Sequence, residues 1–184
     1  TGFGESVTIF EDFLNDFPNS QYADKVNDYL VEVYLATKNY EAALKSINKI
    51  KHPSTKILEA KQDILFQLGT QAFANVKLDD AVSLFSQAIQ LGSYNMEARN
   101  DAYFWRGESY YRMGEYENAI SDYRTYLNNT RQHNTDMYAL AYYNLGYSYF
   151  KLRDYSAALN RFRQYVDLES NRQAASLADA YNRI

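Results

Sequence analysis

Apolar residues in this chain recur at spacings of three and four rather than two, as in Tyr103 and Tyr110 and then Ile120, Tyr123 and Leu127. That is the stripe of an amphipathic helix, not the alternation of a strand. The stripes themselves repeat. Four segments superimpose without gaps: "LVEVYLATKNYEAALKSI" (30–47), "LGTQAFANVKLDDAVSLF" (68–85), "RGESYYRMGEYENAISDY" (106–123) and "LGYSYFKLRDYSAALNRF" (145–162). Each places an alanine after a short turn (Ala43, Ala81, Ala119, Ala158) and a large apolar residue four positions later (Ile47, Phe85, Tyr123, Phe162). The position before the turn is filled by Val31, Gly69, Gly107 and Gly146, so the period is 38, 38 and 39 residues.

Each period holds two helices. The turn signals "TKNY", "VKLDD", "RMGEY" and "KLRDY" divide them, and Asp79 and Asp154 are predicted to cap the second helix of their copies. The recurring glycines and alanines predict close helix approach, which requires small facing side chains. The longer connections, such as "KHPSTK" and "NNTRQHNT", fall between hairpins.

These residues resemble the tetratricopeptide repeat, whose signature runs W-x2-L-G-x2-Y, then A-x3-F, then P. Tyr142, Leu145, Gly146, Tyr149, Ala158 and Phe162 follow it in order. Tyr103, Gly107, Tyr110, Ala119 and Tyr123 follow it with Arg106 in the leucine place, while the second copy has Ala72 for the tyrosine and the first has Val31 for the glycine. The resemblance implies an all-α fold, a right-handed superhelix (α-solenoid) of helix-turn-helix repeats. The predicted boundaries are the second helix of a preceding repeat over 1–18, repeats over 20–51, 54–91, 95–128 and 135–168, and the first helix of a following repeat over 172–184.

A chain divided within a repeat at both ends is expected to belong to a longer protein. Phe10, Phe13 and Phe17 at one end and Tyr181 and Ile184 at the other are expected to present apolar surface, with self-association as the consequence. The linker "FLNDFPNSQYADKV" (13–26), with its period above the usual length, is similar to tetratricopeptide proteins of the Gram-negative cell envelope, which implies a periplasmic or outer-membrane-associated location.

Charge narrows the partner class. Nineteen Lys and Arg stand against twenty-three Asp and Glu, and residues 1–92 hold eight Lys and twelve acids. A phosphate backbone needs clustered positive charge, so nucleic acid is disfavoured as a partner and the pair Arg161 and Arg163 reads as a solvated helix face. No run approaches the roughly 18 apolar residues of a membrane span, and with no cysteine there is no disulfide or thiolate metal site. His52 and His133 lie in connections without metal-ligand spacing, no glycine-rich loop follows a strand, and Asp79 with Asp80 reads as a helix start. No catalytic residue, metal site or cofactor is predicted.

In the family that the sequence resembles, first helices of successive hairpins line a concave groove where extended peptides or partner helices lie. Transferring the register gives Asp28, Tyr29 and Glu32, then Asp63, Phe66, Gln67 and Thr70, then Asp101, Phe104, Trp105, Glu108, Tyr111 and Arg112, and finally Tyr143, Asn144, Tyr147 and Lys151. Helical geometry sorts Tyr103, Tyr110 and Tyr116 to the packed side and Phe104, Trp105 and Tyr111 to the groove. Asp28 and Glu32 stand where chaperone-binding members clamp a carboxylate with Lys and Asn, which disfavours an acidic tail as ligand. The resulting expectation is a non-enzymatic scaffold for a protein or peptide. An envelope assembly or self-associating structural protein and a carbohydrate-binding accessory protein are the alternatives.

Overall fold

The computed structural model describes the backbone of residues 2–182, and their side chains apart from those of residues 3 and 174–182. Among the described residues the chain is all-α. Its helices are α1 (Gly2–Asp16), α2 (Ala23–Ala36), α3 (Tyr40–Ile47), α4 (Thr55–Ala74), α5 (Leu78–Gln90), α6 (Met96–Met113), α7 (Tyr116–Asn129), α8 (Asp136–Lys151) and α9 (Tyr155–Asn182). Two compact units divide it, Thr1–Ala102 and Tyr103–Ile184, and α6 begins in the first and continues into the second.

The turns inside the hairpins obey one rule. Lys38, Val76, Gly114 and Arg153 all have positive φ, at 50°, 60°, 79° and 64°, and they recur with the period of the repeat. In the last three copies the residue after each donates its N–H five positions back, Lys77 to Ala72, Glu115 to Tyr110 and Asp154 to Tyr149, which closes the preceding helix. The next residue but one then starts the second helix, so the N-cap is Asn39, Lys77, Glu115 or Asp154. Asn39 accepts from Ala42 N at 3.3 Å and Asp154 from Ala157 N at 3.1 Å. Asp79, expected to cap, lies inside the first turn of α5, because the fixed distance from Val76 hands the cap position to Lys77. Val76 is β-branched and 69% exposed in a conformation that suits glycine. Val76→Gly is expected to raise stability by about 1 kcal/mol in urea melts, relief of strain exceeding the added chain entropy.

The small residues before the turns admit rings. A Cβ built on Gly69 would lie 2.5 Å from the Phe85 ring, on Gly146 2.8 Å from Phe162, and on Gly107 3.2 Å from Tyr123. In three hairpins a ring of the second helix therefore sits on the bare backbone of the first. The first hairpin has Val31 at the glycine place and the smaller Ile47 where the others carry a ring.

In the first unit Leu30, Ile57 and Ile64 are wholly buried, and Gln62 fastens the end of the α4–α5 hairpin. Its Nε2 donates to the carbonyls of Ala88 and Gly92, both at 2.7 Å, and its Oε1 accepts from Asn95 N at 2.6 Å. A buried amide so satisfied carries no orphan group and sets where α6 starts. Tyr34 Oη donates to the buried Glu11 at 2.8 Å, and burial first, then that carboxylate, holds the phenol far above its ordinary pKa. In the second unit Phe104, Tyr123 and Leu145 form the centre, and Arg106 pairs with buried Asp122 through two bonds of 2.8 Å.

The first chain end meets expectation only in part. Phe10 and Phe13 pack on the core of the first unit, Phe10 edge-on to Tyr29 at 4.9 Å; Phe17 is exposed. The side chains of Tyr181 and Ile184 lie outside the described residues. The break expected between 168 and 172 is absent, since α9 runs through it. The stretch "DLESNRQAAS" (167–176) holds neither Gly nor Pro to stop a helix, Arg172 donates to Glu169 at 2.6 Å within it, and Arg172 also pairs with Asp136 at the start of α8.

Candidate interaction surfaces

In the first unit the predicted positions on α4 form a chain of contacts along one helix. Asp63 accepts from Gln67 Nε2 at 3.4 Å, and Thr70 donates to the Gln67 carbonyl at 2.8 Å. Phe66 is half-buried, its ring 6.0 Å from that of Phe85, so it belongs in part to the hairpin core. On α2, Asp28 and Glu32 face α4 across an open cavity of about 480 Å³. The sequence reading missed Lys56, Glu59 and Asn95 in the same lining, two of them because they stand on α4 before the matched segment and one because it lies in a connection.

Asp101 on α6 is half-buried one turn after Glu97, and burial followed by that like charge raises its carboxyl to about 6. A carboxyl so raised in the fold leaves stability whole below about 3.8 and erodes it as pH climbs through about 6. Asp101→Asn is therefore expected to be the more stable protein at neutral pH, by about 1 kcal/mol once partial exposure is discounted. The difference should vanish in melts near pH 4.

The second unit reverses part of the expected sorting. Phe104 is 1% exposed, edge-on or tilted to Tyr123 at 6.0 Å and Tyr126 at 5.3 Å. It is core, not groove. Tyr103 and Tyr110, expected inside, do pack against this core but are only half-buried, and they flank the Arg106 guanidinium at 5.6 and 5.9 Å. The physical reason is that α6 is covered on more than one side, so buried residues such as Phe104, Gly107 and Ser109 stand around much of its circumference and a single-stripe reading cannot place them. Trp105 is half-buried and edge-on to Phe104 at 5.4 Å.

Glu108 and Asn144 meet, but beneath the surface. Glu108 Oε1 accepts from Tyr123 Oη at 2.6 Å and from Asn144 Nδ2, tying α6, α7 and α8 together. Burial pushes the Glu108 carboxyl up, and the two donors and Arg112 oppose that push. Asn144, predicted to meet a partner, is buried with its amide committed.

What stays at the surface is aromatic and cationic. Tyr143 and Tyr147 on α8 are 5.0 Å apart; Tyr143 also meets Tyr165 at 5.1 Å and Tyr147 meets Phe162 at 5.3 Å. Tyr111 on α6 is edge-on to Tyr116 at 5.7 Å, and its phenol is raised by burial first, then by Tyr116 and Tyr147. Tyr143 is raised by its bond to Tyr147 first and feels the Tyr111 phenol as well. Arg112 and Lys151 are exposed. Tyr165 was missed, although it stands three residues after Phe162 on the same helical stripe, because only first helices were read for the surface.

Among the described residues no group of His, Cys, Asp and Glu is placed to hold a metal ion, and no helix is long and apolar enough to cross a membrane. Paired helices, a left-handed turn in fixed register and a ring seated on a glycine define a helical-hairpin repeat protein. The family model described as tetratricopeptide repeat matches residues 98–168, so that stretch of the chain carries tetratricopeptide repeats. Solved structures share the fold. One is the crystal structure of MamA, 22% identical at a TM-score of 0.55, the match covering 94% of this chain and 91% of that one. A second MamA structure is 21% identical at 0.53, with coverage of 93% and 96%. A kinesin light chain protein of Podosopora anserina with nearly identical TPR-like repeats is 14% identical at 0.51, with coverage of 93% and 88%. No curated protein sequence matches the chain.

Proposed function

We propose that the protein is a non-enzymatic scaffold whose first helices bind an extended peptide or a helix of another protein. The observation that carries this reading is the set of partly exposed rings on α6 and α8, Tyr111, Tyr143 and Tyr147, held in mutual contact or influence, with the exposed cations Arg112 and Lys151 on the same two helices. Rings already fixed by their neighbours lose little freedom when a partner covers them, and such anchors supply most of the energy of an interface. The buried Glu108 network beneath them keeps α6, α7 and α8 in place while the surface changes its contacts.

Selection from a displayed library of random short peptides tests it. Peptides should be enriched over an unrelated helical control, and their affinity should fall about tenfold or more in Tyr111→Ala/Tyr147→Ala, measured at a temperature where circular dichroism shows the variant fully folded. Absence of enrichment, or enriched peptides that ignore the double substitution, removes the reading.

A further inference from the structure

The cavity between α2 and α4 differs in chemistry from the aromatic surface of the second unit. Its floor is aliphatic, made by Val31, Leu35 and Ala60, and Leu35 is exposed. Its sides carry acids at matched spacing, Asp28 and Glu32 on one helix and Glu59 and Asp63 on the other. One of the four is neutralised within the fold, Asp28 by Lys56 at 2.5 Å. Among the described residues Glu32, Glu59 and Asp63 have no ion-pair partner.

We propose that this groove takes a basic, extended segment of a partner protein, with an apolar side chain on the aliphatic floor and Lys or Arg side chains on the acids at either side. The assignment rests on the scaffold reading and specifies its ligand in the first unit. Charge complementarity carries it. The unit holds nine Lys and Arg against fourteen Asp and Glu, and a cleft whose four acids outnumber its one cation, Lys56, over a low-dielectric floor concentrates the potential that draws a cation in. Spacing carries it further. Acids four apart on a helix repeat at about 6 Å along its axis, and alternate side chains of an extended chain repeat at about 6.6 Å. A segment that alternates apolar and basic residues can thus meet successive acids with its basic side and the floor with the other.

Fluorescein-labelled short peptides alternating Leu with Lys, Leu with Gln and Leu with Glu, titrated into the full chain by anisotropy, test the proposal. The Leu-Lys peptide should bind about tenfold tighter than the other two and lose that advantage in Glu32→Gln/Asp63→Asn. It should keep the advantage in Asp79→Asn/Asp80→Asn, which removes an acidic pair on α5 away from the groove. Equal binding of the three peptides, or a Leu-Lys peptide that binds the groove variant as well as wild type, overturns the assignment. If the Leu-Lys peptide fails while library-selected peptides still depend on Tyr111 and Tyr147, the groove assignment falls and the scaffold reading stands; failure of both removes both.

Discussion

Phe104→Ala is expected to lower stability by about 4 kcal/mol, the largest loss from any single ring truncation on α6. The ring is 1% exposed and touches the rings of Trp105, Tyr123 and Tyr126, so its removal leaves a void in the centre of the second unit that the neighbouring helices cannot close without moving α7. Trp105→Ala, one residue on and half-buried, should cost roughly half as much, because part of that ring already meets water. Urea unfolding of the two variants side by side decides the matter. A Phe104→Ala protein within about 1 kcal/mol of wild type would return that residue to the surface.

Glu108 supplies the second large effect, and its sign depends on the replacement. Glu108→Ala removes the shared acceptor of Tyr123 Oη and Asn144 Nδ2, and both donors are left buried, at an expected cost of about 3 kcal/mol. Glu108→Gln keeps an oxygen in the same place and removes only the charge that burial disfavours. The carboxyl is raised in the fold, so its ionisation weakens the native state progressively as pH rises above the ordinary glutamate range. The Gln variant should therefore equal wild type in acid and match or exceed it at neutral pH. Melting curves across that interval check the pattern, and a Gln variant as unstable as the Ala variant would show that the charge itself is needed.

The repeat was legible because its determinants are local. Gly69, Gly107 and Gly146 had to be small where a ring of the following helix lands, and the turn residues had to recur with them, so a register of 38 or 39 residues stands in the bare string. Burial around α6 was not legible. Tyr103 and Phe104 are adjacent aromatics, and which one is wholly buried depends on the positions of α7 and α8, which no spacing within α6 encodes. The same holds for Glu108 and Asn144, polar residues that read as groove until the helix carrying each is set beside the other. Length also misled. The predicted stop before residue 172 followed the period, whereas the local composition of α9 offers nothing to end a helix and Arg172 anchors its far side to Asp136.

The protein's single tryptophan, Trp105, stands against Phe104 in the second unit, while the first unit has none. Emission excited where tryptophan absorbs and tyrosine does not therefore reports on Tyr103–Ile184 alone, whereas far-ultraviolet ellipticity counts helices along the whole chain. The two signals, recorded on one denaturant titration, read the cooperativity of the chain directly: coincident curves mean that both units lose structure together, and displaced curves mean that each melts by itself.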